Sequence, residues 1–387
     1  MNINKLLEFL QKQKNSKFFK ELQEQKEISI NDIQHLISDN PDKPIKEILT
    51  QIKLQKRNLS KIPISKELLF TEQGVQQASS WNLALYHAKK FKAFNKVADL
   101  CCGIGADLIN ISKGKDQVYA VDLDEDTLKL AEYNCRNQNL DNINYKLSKA
   151  EEFSQPVDAI FIDPDRRPGS SRKIAPEEYS PPFSKIMELR NICANIAVKL
   201  SPALDYDRLN LPIDSTLEFV SENGTLKEIL LCMGELATKN FERKAVLLPS
   251  NLTLQNSNIK IEVTNIQKYL FEPDAAIIRG GLVQEMGNEI GYDLIDSKLA
   301  LLTGSQIVQN KYGKIYEVKQ IMKFDLKKVR KYVRENEIGE LIIKTRGFPE
   351  SVEKFRKKIK LRGNNSVVMF ILRKDDGHII IFSQLTE

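Results

Sequence analysis

The sequence predicts an α/β protein in which a helical N-terminal region precedes a parallel sheet with helices on both faces, and a small α+β module follows. Three observations carry this prediction. Apolar residues such as Leu6, Leu7 and Leu10 recur at helical spacing near the N-terminus. From residue 97 to about 250, short β-rich runs alternate with helical runs, which is typical of a parallel sheet covered by helices. The last seventy or so residues follow a βαβαββ order.

The composition places the chain among globular proteins. Its 387 residues are 41% hydrophobic and 28% charged, which is enough for two or three domains with sizeable cores. No apolar run approaches about eighteen residues, and the segment 1–20 is charged throughout, so we expect a cytoplasmic protein with no membrane span or signal peptide. The five cysteines are odd in number, no CxxC occurs and the three histidines are scattered. These features argue against disulfides and against a metal site.

The N-terminal region, residues 1–74, is predicted to be helical with a proline-containing break at 39–44. The stretch 70–92 predicts a further helix that leads into the core, with Ser79 or Ser80 as its N-cap.

The stretch "KVADLCCGIGADLINIS" predicts a strand, a tight glycine turn and the start of a helix. Asp122 follows Gly105 by seventeen residues, at the end of the next predicted strand, where an acid can bind both hydroxyls of a ribose. A nicotinamide-binding turn requires G-x-G-x-x-G, but Leu108 stands where its last glycine would be. The turn therefore predicts a nucleotide-containing cofactor other than a dinucleotide.

This turn resembles the first motif of class I S-adenosylmethionine-dependent methyltransferases, an acid-x-G-x-G-x-G series. Asp99 matches the acid, Gly103 and Gly105 match the second and third glycines, and Cys101 replaces the first glycine. A turn with the pattern D-x-x-C-G-x-G is similar to the corresponding turn of several RNA methyltransferases, including the trimethylguanosine synthases. The resemblance implies a Rossmann-like class I methyltransferase domain at 75–250 and S-adenosyl-L-methionine as the cofactor.

The same resemblance implies further cofactor contacts. Asp122 matches the ribose-binding acid, and Leu123 directly follows it. Lys149 and Ala150 stand where the family usually has an Asp-Ala pair, so Glu151 is the candidate for the adenine contact.

The fourth strand of this domain ends in "DAIFIDPDRRPGSS". Asp163 and Pro164 resemble the start of the [DN]-P-P-[YFW] motif of methyltransferases that modify nitrogens of bases. There a carboxylate and a carbonyl fixed by proline accept the N–H groups of the attacking amine. Asp165 and Arg166 replace the second proline and the aromatic, and Arg166 can stack on a base or bind a phosphate. We therefore predict these four as the catalytic residues. The alternative is a helix-capping Asp163 beside a surface ion-pair cluster.

The proline-rich loop that follows contains Tyr179 and Phe183, which either stack on a substrate base or anchor the core. The fifth strand ends near Lys199, Ser201 and Asp205, which are secondary candidates for the site.

The C-terminal module is strongly basic. From residue 311 onward the chain has 19 Lys and Arg against 10 Asp and Glu, a net charge of +9, whereas residues 1–310 hold −3. Such a patch suits a partner that carries phosphates, although lysine-rich helices are often only solvated surface. Together with "FEPDAAIIRGGL", the module resembles that of bacterial methyltransferase-like proteins that end in a THUMP-like domain, at 315–387 here. Residues 251–314 are predicted only as a connecting segment.

Three functions are compatible with these features. We favour an S-adenosylmethionine-dependent methyltransferase acting on a base nitrogen in structured RNA, either tRNA or rRNA, which the basic module binds. The second is a methyltransferase for a small molecule or protein. The third is an RNA-binding protein whose methyltransferase fold binds the cofactor without turnover.

Overall fold

The computed structural model describes residues 3–24, 30–166, 176–239, 242–374 and 377–386. The chain forms two compact units: unit 1 comprises Met1–Leu217 and Glu228–Lys239, and unit 2 comprises Glu218–Lys227 and Asn240–Glu387. Each contains its own helices and sheet strands, which confirms the predicted α/β class. Within the described ranges, no helix is both long and apolar enough to cross a membrane.

Unit 1 begins with the helices that the apolar spacing predicts. Ser80 is the N-cap of α6, where its hydroxyl accepts the N–H of Leu83 at 3.4 Å. The helices of unit 1 are α1 (Ile3–Leu10), α2 (Gln13–Glu24), α3 (Ile30–Asp39), α4 (Ile45–Arg57), α5 (Glu72–Gln77), α6 (Trp81–Lys90), α7 (Leu108–Ile111), α8 (Glu125–Arg136) and α9 (Phe183–Glu188).

The strands that lie within unit 1 are β1 (Lys96–Leu100), β2 (Gln117–Asp122), β3 (Ile143–Leu147), β4 (Ala159–Ile162), β5 (Asp165–Arg166), β6 (Tyr179–Ser180) and β7 (Ile196–Leu200). The hairpin β8 (Ser215–Glu222) and β9 (Thr225–Met233) contributes residues to both units. Its turn contains Asn223 and Gly224, both with positive φ, which is typical of tight hairpin turns.

The sheet of unit 1 places the ends of two strands side by side. Its order is β9-β7-β4-β1-β2-β3, with β1 to β4 and β7 mutually parallel and β9 antiparallel to β7. The chain order reverses between β1 and β4, where Leu100 is the register partner of Ile162. Residues that follow these two strands therefore meet in the crevice where parallel α/β sheets bind ligands.

The N-terminal helices pack directly against this sheet domain. Ile48 of α4 shares an apolar core with Leu108 and Leu130. Buried side-chain amides also hold the extended chain before α5: Gln51 accepts the N–H of Phe70 at 2.9 Å, and Asn134 of α8 accepts that of Leu69 at 2.7 Å. These bonds satisfy buried backbone groups that no strand pairs, so α4 and α8 are joined through the segment between them.

Unit 2 contains β10 (Arg243–Leu248), β11 (Leu252–Gln255), β12 (Tyr269–Pro273), β13 (Asp293–Leu294), β14 (Leu302–Gly304), β15 (Gly313–Lys323), β16 (Ile338–Arg346), β17 (Asn365–Lys374) and β18 (Gly377–Leu385). Its helices are α10 (Ala275–Arg279), α11 (Val283–Ile290), α12 (Leu326–Glu335) and α13 (Val352–Arg356). The order of elements from β15 onward is the predicted βαβαββ. The residues predicted to turn between β17 and β18, 375–376, lie outside the described ranges.

The segment 251–314 contributes strands to the C-terminal sheet. That sheet has seven strands in the order β13-β14-β12-β15-β18-β17-β16, so three of them precede residue 313. Its two faces are distinguished by alternation along β17. Met369 packs with Val329 of α12, whereas Phe370 packs with Leu270 and Leu301. Residues before 313 thus complete both the sheet and one of its cores.

Candidate active site

The glycine turn adopts the backbone that its composition suggests. Cys101, Gly103 and Gly105 all have positive φ, at 65°, 54° and 87°. A Cβ on Gly103 would meet no atom within 4 Å, whereas one on Gly105 would lie 3.4 Å from Cα of Ala131. Gly105 therefore allows α8 to pack closely, and Gly103 borders open space in which a cofactor can approach the backbone.

Asp122 anchors this turn at the end of β2. Its Oδ2 accepts the N–H of Gly103 at 2.9 Å, and its Oδ1 accepts the N–H of Asp124 at 3.0 Å. A carboxylate has about four lone-pair sites, so the two ribose hydroxyls can still bind. Leu123 is 58% exposed, and Glu151 is exposed on the turn after β3, so both predicted neighbours of the cofactor are accessible.

Asp99 of β1 is only 1% exposed, and neither of its carboxyl oxygens has a hydrogen-bond partner among the residues that the structure describes. Burial raises its pKa well above the usual value, and the carboxylates of Asp107 and Asp163 add to this effect. A buried carboxyl without a partner is costly, and a cation bound beside the turn would stabilise its charged form. S-adenosylmethionine carries such positive charge, so Asp99, the open side of Gly103 and the Asp122 carboxylate together fit this cofactor.

Asp163 follows β4 in the crevice and is held at one oxygen only. Its Oδ2 forms an ion pair with Nζ of Lys199, from the end of β7. The side chain of Asp163 remains 35% exposed, against 12% for that of Lys199, and Oδ1 has no protein partner among the described residues. Asp163 therefore caps no helix, and its free oxygen can accept a hydrogen bond from a substrate.

The residues after Asp163 form a short antiparallel ribbon. Pro164 is buried, and Asp165 in β5 pairs with Ser180 in β6. Oδ1 of Asp165 accepts a hydrogen bond from Nε2 of Gln77 at 2.8 Å, which places the carboxylate beside α5. Arg166 lies in β5, and its predicted stacking or phosphate contact stays a prediction. The predictions for 167–175 concern residues outside the described ranges.

Of the two alternatives for Tyr179 and Phe183, stacking on a base or anchoring the core, the structure supports the second. Tyr179 is 1% exposed and Phe183 is 7% exposed, so both are core anchors. The hydroxyl of Tyr179 accepts the N–H of Ser201 at 3.1 Å, which ties β6 to the end of β7. Asp205 is exposed and pairs with Arg208, at 2.9 Å, rather than with a residue of the site.

A chain of buried polar side chains lies behind Asp163, and most of it was missed by sequence reasoning. Nζ of Lys199 donates to Oγ of Ser79 at 3.1 Å, and Ser79 donates to Oδ2 of Asp107 at 2.7 Å. The other Asp107 oxygen contacts Nδ1 of His87 at 2.7 Å, and Nε2 of His87 contacts Glu228 at 2.5 Å. The connection runs through α6, the glycine turn, β7 and β9, all within unit 1.

The charges in this chain support one another. Burial alone would lower the pKa of His87, but Glu228 and Asp107 raise it to about 10. Burial opposes ionisation of Asp107, yet His87 and Lys199 lower its pKa to about 2. Burial also opposes the charge of Lys199, and the carboxylates of Asp163, Asp107 and Glu228 raise its pKa above the usual range. At neutral pH the Asp107 carboxylate thus lies between two cations, the imidazolium of His87 and, through Ser79, the ammonium of Lys199.

We expect His87 to keep its proton well into the alkaline range. An imidazole in an unfolded chain has a pKa near 6.5. A raised pKa in the folded protein means that its stabilising effect is complete below pH ~6.5 and is lost as pH rises through about 10. A variant with His35→Gln and His378→Gln leaves only His87. Its ring ¹⁵N spectrum should show the imidazolium at pH ~8, and a neutral ring there would contradict the assigned charges.

We expect Asp122→Ala to weaken binding of S-adenosylhomocysteine by roughly 10- to 100-fold or more. Charge-assisted hydrogen bonds contribute about 1.5 to 3 kcal/mol each, and the variant also releases the N–H of Gly103. Isothermal titration calorimetry measures the change, and Asp141→Ala, an exposed acid after α8, is the matched control. Equal affinity in all three proteins would place the ribose elsewhere.

No group of three or more His, Cys, Asp or Glu within the described ranges is arranged to hold a metal ion.

Two family models match the chain. One describes a methyltransferase domain and matches residues 97–163, and the other describes a THUMP domain-like module and matches residues 313–384. The first match contains the glycine turn, Asp122 and Asp163, and the second contains β15 to β18 with their two helices.

Several known proteins are similar over different lengths. A protein found in two strains of Mycobacterium tuberculosis, described as an uncharacterized S-adenosylmethionine-dependent methyltransferase, is 26% identical over 316 residues, which is 80% of this chain and 86% of the relative. An uncharacterized RNA methyltransferase from Clostridium tetani is 25% identical over 114 residues, covering 28% of this chain and 25% of the relative.

A solved structure supports the fold across both units. The crystal structure of a candidate methyltransferase from Porphyromonas gingivalis W83 matches with a TM-score of 0.74 at 23% identity, covering 89% of this chain and 92% of that one. These matches agree with the fold described above. The chain is therefore an S-adenosylmethionine-dependent methyltransferase in which a methyltransferase domain is followed by a THUMP-like module.

Proposed function

We propose that this enzyme methylates a nitrogen of a base in structured RNA, either tRNA or rRNA. The observation that carries the proposal is the carboxylate of Asp163, which is fixed at Oδ2 and open at Oδ1 where β1 and β4 end side by side. A carboxylate oxygen together with a backbone carbonyl can accept both N–H groups of an amine, whereas a hydroxyl or thiol offers a single hydrogen, so the arrangement suits a nitrogen substrate.

The chemistry assigns a defined task to each residue. S-adenosylmethionine, when bound, supplies a methyl group on a positively charged sulfur, and its transfer to a nitrogen lone pair leaves the sulfur neutral. Oδ1 of Asp163 accepts a hydrogen bond from an N–H group of the substrate, and this bond orients the nitrogen lone pair. The same oxygen then receives the proton that the nitrogen loses. The carbonyl of Asp163, fixed by Pro164, is available for a second N–H. Positioning of this kind can supply on the order of 7 to 11 kcal/mol of the barrier.

A basic surface in unit 2 supports RNA as the substrate. We define the basic face as eight exposed residues on and next to α12 and α13: Lys327, Lys328, Lys331, Arg334, Lys354, Lys357, Lys358 and Lys360. The apolar residues between them, such as Val329, Val333 and Phe355, are buried, as the helical spacing predicts. Lys331 and Lys358 form ion pairs with Glu335 and Glu350, so most of the charge of this face stays uncompensated.

Two further observations point the same way. The THUMP-like match covers the basic face, and the Clostridium tetani relative is described as an RNA methyltransferase. The surface is rich in lysine rather than in aromatic residues. It therefore suits sequence-independent binding of phosphates, while the crevice near Asp163 selects the base.

Purified enzyme with tritiated S-adenosylmethionine tests the proposal in vitro. The acceptor is total tRNA or rRNA from a strain that lacks the gene, because such RNA is unmodified at the target. We expect label in the RNA that nuclease treatment releases as a methylated nucleoside. Label that enters only protein or small molecules, with both RNA pools unlabelled, would favour the alternative substrate classes.

A further inference from the structure

The buried polar side chains behind Asp163 are connected to the crevice through Lys199. Lys199 makes its two side-chain contacts with Asp163 and Ser79, and it lies between the open crevice and the buried His87. The ion pair between Lys199 and Asp163 is partly buried, with side chains that are 12% and 35% exposed. Ion pairs taken out of water often add little to stability, so stability alone explains this pair poorly.

We propose that Lys199 is the positioning residue of Asp163, which it keeps ionised and holds in one orientation for the substrate nitrogen. The ion pair occupies Oδ2 and leaves Oδ1 free, so it selects which oxygen faces the crevice. This inference rests on the proposed role of Asp163 in catalysis.

The groups around Asp163 make a nearby cation necessary. The titratable groups that face it are Lys199, Asp107, Glu228, Asp99 and Cys101. Among these described groups, Lys199 is the one that carries a positive charge. Burial raises the pKa of Asp163, and Lys199 opposes that rise. Without Lys199, burial and the neighbouring carboxylates would favour a protonated Asp163, which cannot accept the proton of the reacting nitrogen.

The rest of the chain fixes Lys199 itself. A lysine side chain has four rotatable bonds and normally samples many positions. Ser79 restricts this freedom by accepting a hydrogen bond from Nζ of Lys199 while donating one to Asp107. Asp107 contacts His87, and His87 in turn contacts Glu228. Glu228 lies 141 residues after His87 in the sequence, so the orientation of Asp163 depends on β9 as well as on the glycine turn.

The test compares Lys199→Met, Lys199→Gln and Lys199→Arg with the wild type. Lys199→Met removes the charge and the hydrogen bonds, Lys199→Gln keeps the hydrogen-bonding capacity without the charge, and Lys199→Arg keeps the charge. Lys115→Met is the matched control, because Nζ of Lys115 is partly buried in unit 1 and donates to the carbonyls of Phe91 and Phe94 without a carboxylate partner.

The first readout needs no methyl acceptor. The protein is labelled with ¹³C at the aspartate carboxyl carbons and followed by NMR as the pH is changed. The signal of Asp163 is the one that is absent from the spectrum of the Asp163→Asn variant. Loss of an opposite charge at contact distance should move its titration upward by about one to three pH units in Lys199→Met and Lys199→Gln. Lys199→Arg and Lys115→Met should leave the titration near that of the wild type. If Lys199→Met does not fold, Lys199→Gln decides the result.

The second readout is the pH dependence of methyl transfer to RNA. A carboxylate is active above its pKa, so losing Lys199 should shift the acidic limb of kcat to higher pH by the same amount, with unchanged affinity for S-adenosylhomocysteine. Lys199→Arg should restore much of kcat. An unchanged Asp163 titration in both uncharged variants would overturn the inference. A shifted titration in protein that methylates no RNA would support the inference and count against RNA as the substrate.

Discussion

Asp163→Ala is expected to transfer methyl groups at least about 100-fold more slowly than the wild type while binding S-adenosylhomocysteine within about twofold of it. The reason is that the ion pair with Lys199 leaves Oδ1 of Asp163 free, whereas the predicted cofactor residues Gly103 and Asp122 belong to the turn after β1 and the end of β2. An interaction made mainly in the transition state lowers kcat and kcat/KM together. Single-turnover transfer from tritiated cofactor to RNA measures the loss, and calorimetry measures the affinity.

Asp163→Asn is the matched variant, because its amide oxygen can still accept one N–H but cannot take a proton or pair ionically with Lys199. We expect its rate to lie between those of the wild type and Asp163→Ala. A variant that loses cofactor binding and turnover together, with a lower melting temperature, would instead mark Asp163 as structural.

Removing charge from the basic face should weaken RNA binding and its dependence on salt. Each lysine that binds a phosphate contributes about 0.7 to 0.9 to the slope of log K against log salt. If four lysines each bind one phosphate, replacing them should lower the slope by about 3, with no change in cofactor affinity. The variant replaces four exposed lysines by glutamine, two from α12 and two on or next to α13: Lys327, Lys328, Lys354 and Lys357.

The control removes the same charge from exposed positions in unit 1, namely Lys20, Lys46, Lys53 and Lys92. Equal slopes for the two variants, measured by filter binding to tRNA, would mean that the lysines of α12 and α13 are only solvated surface. A deletion from residue 311 is a poorer test, because it removes four of the seven strands of the C-terminal sheet. Those strands contribute to the core that contains Leu270 and Leu301.

The residues that could be predicted from the sequence are those with a local signature. The glycine turn, Asp122 and Asp163-Pro164 each follow a strand within a short motif, and a parallel sheet brings such strand ends to one edge. The order of elements in the C-terminal module was equally readable, because its strands and helices are long enough to show their periods.

The buried chain could not be read in this way. His87 and Glu228 lie 141 residues apart, and neither belongs to a motif, so only the folded sheet shows that they meet. Asp107 lies two residues after Gly105. Nothing in the neighbouring sequence shows whether its side chain caps a helix or forms a hydrogen bond with His87. Two strands of the C-terminal sheet, β13 and β14, were missed for another reason. β13 has two residues and β14 has three, too few to show an alternating pattern.

Nucleoside mass spectrometry of a gene-deletion strain tests the central claim most directly. Total tRNA and rRNA from the parent, the deletion strain and deletion strains carrying either the wild-type gene or the Asp163→Ala gene are digested and compared. We expect one nitrogen-methylated nucleoside to disappear on deletion, to return with the wild-type gene and to stay absent with Asp163→Ala. Identical methylated nucleosides in all four strains would contradict a role in RNA methylation.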